Sequence, residues 1–254
     1  MITIAKLFDS LVLVTGIVAI GLLQEPRWQQ LEHSNIDTKS LAQEIQKEQN
    51  NLSFWKRFSA FGYGNLLADW FFLRFIQYYG DDTARDKTGY ELNPQFLELI
   101  IKYDPRFVPA YLIFSSAISI DAAMPDKSIE LLGQGLKHIS PYQPDANYVW
   151  LYRATDQILF TNDVEGAKYS YNMAADWADI ALNHRLAKAN RQTAQYISTH
   201  PYSKKNRIAA WQLILTHNRF AKTRQVALNK IRELGGTIKI QPNGAIVIAS
   251  PKDN

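Results

Sequence analysis

At 254 residues, 46% hydrophobic and 20% charged, the chain can bury a sizeable core and is too apolar for wholesale disorder. It contains no cysteine, which excludes a disulfide framework, a thiolate metal site and a cysteine nucleophile, and is consistent with an oxidising compartment. The net charge of +4 hides a polarity: residues 1–180 carry 15 Lys/Arg against 22 Asp/Glu, whereas residues 181–232 carry 11 Lys/Arg and no acid. Such asymmetry points to an anionic partner for the basic part, or to packing of the two parts on each other.

Leu7–Leu23 is a run of 17 residues, apolar except for Asp9, Ser10 and Thr15, close to the minimum length for crossing a bilayer. It reads as a membrane anchor over residues 1–24. A cleaved signal peptide, with Ala19 and Gly21 as the small residues, and a buried core helix are the alternatives. Pro26 stops the run, and Trp28 suits the headgroup level. The Lys6 side of the run is more positive by about one charge, which places the rest of the chain on the extracytoplasmic side.

Residues 25–52 read as a linker passing into an amphipathic helix with Leu41, Ile45 and Leu52 on one face. Residues 53–104 are aromatic-rich, and Leu66–Tyr79 predicts a helix that is apolar nearly all round. Two readings stand for it. One is a core helix whose Asp69 and Arg74 pair or snorkel. The other lays Phe61, Trp70, Phe71 and Phe75, together with Trp28, against a membrane interface or a membrane-protein partner. Gly80–Glu91 reads as a solvated charged loop, its three aspartates lacking the alternating ligand spacing of a calcium loop. Asn93-Pro94 then predicts a helix start with Asn93 as the N-cap.

Residues 105–180 carry one pattern twice. In the first copy Tyr111, Phe114, Ser115 and Ile118 share a helix, Met124-Pro125-Asp126 breaks it, and Ser128, Leu132 and Gly135 follow on a second. In the second copy Leu151, Ala154, Thr155 and Ile158 are followed by a turn at Thr161-Asn162-Asp163 and by Ala167, Tyr171 and Ala174. This resembles the tetratricopeptide repeat, although Ser128 to Ala167 is 39 residues against the family's usual spacing of about 34. The resemblance implies an all-α solenoid of antiparallel helix pairs that binds other proteins. The groove of such a solenoid is lined mostly by the first helix of each pair. Asn147, Tyr148, Tyr152 and Arg153 are therefore the partner-contact candidates.

Residues 181–236 read as basic capping helices. The first runs from about Ile180 to Thr199 with Leu182, Leu186, Tyr196 and Ile197 inward, and the last is stopped by Gly235-Gly236. Arg185, Lys188, Arg191, Lys204, Lys205 and Arg207 form a candidate patch for an anionic partner. Anionic lipid, an acidic protein surface, the acidic half of this chain and a plain solvated face all fit it, whereas nucleic acid suits a membrane-anchored chain poorly. In residues 237–254, two alternating apolar runs around Asn243-Gly244 predict a β-hairpin and a tail. No histidine pair has metal-ligand spacing, and no phosphate loop or nucleophile elbow is present, so neither catalytic residues nor a metal or cofactor is expected. The expectation is a membrane-anchored scaffold for protein–protein interactions, in the assembly or stabilisation of a membrane complex. A permanent accessory subunit of such a complex is the alternative.

Overall fold

The computed structural model describes residues 38–199, 204–240 and 246–251. The chain divides into two compact units at Gln43/Glu44, and the packing described below lies within the second. The proposed anchor and Trp28 lie outside the described residues. Among those residues no helix is long and apolar enough to cross a membrane.

The described chain is mostly helical, with packed neighbouring helix pairs. In order run α1 (Thr38–Trp55), α2 (Gly64–Tyr79), α3 (Asp82–Thr88), α4 (Asn93–Tyr103), α5 (Val108–Ser116), α6 (Pro125–Gly135), α7 (Ala146–Asp156), α8 (Val164–Ile180), α9 (His184–Thr199), α10 (Lys204–His217) and α11 (Ala221–Glu233). Two short strands follow, β1 (Thr237–Ile240) and β2 (Ile246–Ala249), paired antiparallel with Ile238 opposite Ile248. Ile238 and Ile248 pack on the cluster built by α10 and α11. The ribbon is thereby supported, as a lone two-stranded sheet in water is not.

Helix α2 packs on α4, α5 on α6, α7 on α8, α8 on α9, and α10 on α11. The stripes read from the sequence are the contacts of the middle pairs: Tyr111, Phe114, Ser115, Ile118, Ser128, Leu132 and Gly135 are all buried. The Tyr111 ring lies where a Cβ of Gly135 would stand, so only glycine admits the ring there. In the second copy Ala154, Ile158, Ala167, Tyr171 and Ala174 are buried.

Each first helix ends in a π turn, Ala117–Asp121 after α5 and Gln157–Thr161 after α7. These turns are 40 residues apart, the offset that relates Tyr111 to Leu151. A left-handed residue then releases the chain into the second helix, Ala123 (φ 55) in one copy and Asn162 (φ 59) in the other. The widened turn leaves carbonyls for the loop, with Met124 N–H donating to Ile118 O and Asp163 N–H to Gln157 O.

Several sequence expectations are corrected. Gly80–Glu91 holds a helix, α3, because the Asp81 carboxylate accepts from Ala84 N–H as its N-cap and buried Arg85 stacks on the Tyr78 ring. Asn93 is not a cap: Leu92 holds that position, and buried Asn93 donates through Nδ2 to Ala117 O at 2.7 Å, tying α4 to the first π turn. The helix expected from about Ile180 begins instead at His184, because α8 runs to Ile180, Leu182 turns left-handed (φ 59) and Asn183 N–H closes on Ala178 O. Leu182 and Tyr196 are consequently exposed, and Ala187, Asn190, Ala194 and Ile197 form the inward face of α9.

Candidate functional site

The 40-residue register builds a groove. Leu112, Ser115, Ser116, Ser119 and Ile120 line it from α5 and its π turn. Tyr152, Thr155, Asp156, Leu159 and Phe160, each 40 residues on, line it from α7 and its π turn. Ala209, Ala210 and Leu213 of α10 form the third wall, and the hollow holds about 370 Å³. Its walls are mainly apolar, and Leu213 (52% exposed) and Tyr152 (36%) stand at its rim.

The polar groups are on the floor. Buried Asp156 accepts hydrogen bonds at Oδ2 from Ser119 Oγ and from Ser128 Oγ, the latter at 2.8 Å. The two serines belong to the π turn after α5 and to α6, so one carboxylate of the second pair clasps both segments of the first. No cation faces it among the described residues. Burial pushes its carboxyl up to about 7, an effect that the two hydroxyls only partly offset. Behind it, Gln157 Nε2 donates to Asp163 Oδ2 at 2.8 Å, and its Oε1 accepts from Ser170 Oγ at 2.7 Å.

The four contact candidates separate. Tyr152 stands at the groove rim, with Tyr148 half-buried beside it at 6.5 Å between ring centroids. Asn147 is buried at the start of α7. Arg153 points away from the groove, where its Nη1 donates to Ser170 Oγ (3.1 Å) and its Nε to Ile129 O (3.4 Å), and burial lowers its pKa. Gly133 leaves room for this guanidinium, 3.3 Å from where a Cβ would stand. The buried stripe of Tyr111, Phe114, Ser115 and Ile118 is visible in sequence. Groove positions 112, 116, 119 and 120, each with its partner 40 residues on, are the adjacent stripe, and only the register could have revealed them.

The aromatic helix has two faces, so neither sequence reading describes it whole. Ala68, Phe71 and Phe75 are buried, with Phe75 3.9 Å from Phe114 between centroids and Phe71 stacked on Tyr103 at 5.7 Å. Leu66, Trp70 (37% exposed), Leu73 and Ile76 face outward, continued by Phe54, Phe58 and Phe61 (80% exposed). Arg74 pairs with Glu48 of α1.

The basic patch is dispersed. Arg191 binds Asp176 at 2.8 Å and Asp179 at 2.7 Å, and Arg207 is half-buried and donates to Phe160 O. Arg185, Lys188, Lys204 and Lys205 are exposed. Further along, Arg219 pairs with Asp86 and Lys222 with Glu91, so part of the basic segment does meet the acidic half of the chain. Compared with known proteins, the chain matches no family model, no curated protein and no solved structure.

Proposed function

We propose that this chain is a binding scaffold of the tetratricopeptide-like class, tethered to a membrane by Leu7–Leu23, that holds an apolar segment of another membrane or extracytoplasmic protein. The observation that carries this reading is the groove lined by five repeat-equivalent pairs from two successive first helices. Solenoids of paired helices present partners with such a surface. Its apolar walls suit one or two buried anchor side chains, and the serine-bound Asp156 offers an acceptor to a partner donor.

The test is a mild-detergent pull-down of the full-length protein, with Tyr152→Ala and Leu213→Lys as variants. Both side chains are at the rim, so the variants should keep the wild-type unfolding temperature and lose the partner. Retention of the partner by both would sink the groove reading.

A second reading, a permanent accessory subunit, is favoured by the exposed aromatic face of α2. Here Trp70→Ser with Leu73→Ser would release the chain from one stoichiometric complex on a native gel, and the groove variants would not.

A further inference from the structure

A second cavity, of about 340 Å³, lies where the ends of α2, of the first π turn and of α10 meet α3. It is apart from the groove and differs from it in chemistry. Its floor is Asp121, which is nine-tenths buried. Tyr79 OH donates to Asp121 Oδ2 at 2.6 Å. The other oxygen, Oδ1, accepts no hydrogen bond among the described residues. The nearest cationic candidate, His217 Nε2, stands 3.7 Å from it, beyond hydrogen-bond reach. The Tyr79 and Tyr90 rings form one wall, 5.4 Å apart between centroids, and Asp82 stands at the mouth with no ion pair among the described residues.

The two arginines at this cavity are already engaged. Arg219 Nη1 binds Asp86 Oδ2 at 2.9 Å. Arg85 lies 3.7 Å over the Tyr78 ring and donates to Gly89 O. His217 is thus the salt-bridge partner within reach of Asp121, and Asp82 forms no salt bridge among the described residues. The phenols report the same field. Burial first, then the Asp121, Asp82 and Asp86 charges, push Tyr90 up, with Arg85 opposing, and burial leads the rise at Tyr79 and Asp121 too.

A largely buried carboxylate that lines a cavity beside two aromatic rings is the usual combination for an ammonium or guanidinium group. No group of three His, Asp or Glu side chains that could hold a metal ion occurs among the described residues. We propose that this cavity binds an organic cation, the ammonium or guanidinium group of a free amine or of a Lys or Arg side chain presented by a partner. Its N–H donates to Asp121 Oδ1 from the cavity side, next to His217, and its alkyl stem rests on Tyr79 and Tyr90. The proposal does not depend on the groove, and either can fail alone.

The experiment is calorimetric titration of the full-length protein with cadaverine, with N-acetyl-lysine methylamide, and with N-acetyl-norleucine methylamide as the uncharged counterpart. Inorganic phosphate is titrated as the opposite charge. Saturable binding of either amine is expected, with none of the norleucine compound. Asp121→Asn, which keeps the acceptor for Tyr79, should weaken the amine by about thirtyfold or more, as loss of one partner of a buried charge pair does. Asp82→Lys, on an exposed residue, should weaken it while leaving the unfolding temperature unchanged, which decides the matter if Asp121→Asn fails to fold. Tighter binding of the lysine derivative than of cadaverine assigns the site to a partner side chain, and the reverse to a free amine. Equal binding of the norleucine compound, binding of phosphate instead, no binding of either amine, or amine binding indifferent to Asp82→Lys would overturn the proposal.

Discussion

Asp156→Asn should stabilise the protein increasingly as pH rises. The wild-type carboxyl has a folded pKa of about 7 because burial disfavours its charge. Its unfolded value is about 3.9. The sign follows from proton binding. Below pH 4 both states hold the proton, and the group contributes nothing to the pH dependence. Between pH 4 and 7 the unfolded state ionises while the folded state does not, so folding is disfavoured by about 1.4 kcal/mol per pH unit. Above 7 the penalty is complete, at about 4 kcal/mol for a carboxyl raised from about 3.9 to about 7. Asparagine cannot ionise, and its Oδ1 can accept from Ser119 and Ser128 as Asp156 Oδ2 does. Its amide needs a partner that the groove floor does not offer, a cost of about 1–3 kcal/mol that is independent of pH. Urea unfolding of wild type and variant at pH 4.5, 6, 7 and 8.5 reads the difference directly. The variant should start level or slightly behind and gain several kcal/mol by pH 8.5. A constant gap, or a variant that loses ground with rising pH, would show that the carboxylate is held ionised in the fold and refute the argument.

Gly135→Ala puts a methyl group into the Tyr111 ring and should cost about 1–3 kcal/mol by overpacking, read as a lowered urea midpoint with unchanged slope. Phe75→Ala removes a ring packed on Phe96 and Phe114 and should cost about 3–5 kcal/mol, whereas Trp70→Ala on the outer face of the same helix should cost far less; equal costs would contradict the two-faced assignment. Arg153→Ala removes the guanidinium bonds to Ser170 Oγ and Ile129 O, and should destabilise by about 1–3 kcal/mol in denaturant titration. Tyr152→Ala, one residue earlier, should leave stability near the wild-type value and act on partner capture. Charge reversal at Lys222 should change stability by less than about 1 kcal/mol, since its pair with Glu91 is exposed and screened, and salt should erase the difference.

Local chemistry decided much of this fold by itself. Proline and glycine positions set where helices begin and stop: Pro125 opens α6, Asn162 turns the chain before α8, and Gly235 (φ 86) follows α11. The spacing of Tyr111, Phe114, Ser115 and Ile118 against Ser128, Leu132 and Gly135 selected which faces meet, because a 3.6-residue period leaves one stripe for a neighbour. The period-2 pattern of the C-terminal residues likewise yielded β1 and β2.

Only tertiary packing decided the rest. Whether a polar residue points inward depends on a donor or acceptor far away in sequence. Asn93 is buried where its amide reaches Ala117 O, Asp156 where Ser119 and Ser128 converge on it, and Arg85 where the Tyr78 ring faces it. Exposure around α2 was equally hidden: Trp70 and Phe71 are adjacent aromatic residues, but the Tyr103 ring stacks on Phe71 alone, which is buried, while Trp70 is 37% exposed. Both cavities arise where three or more elements fail to fill the space between them. That volume is a property of the assembled helices, written in no single stretch of the chain.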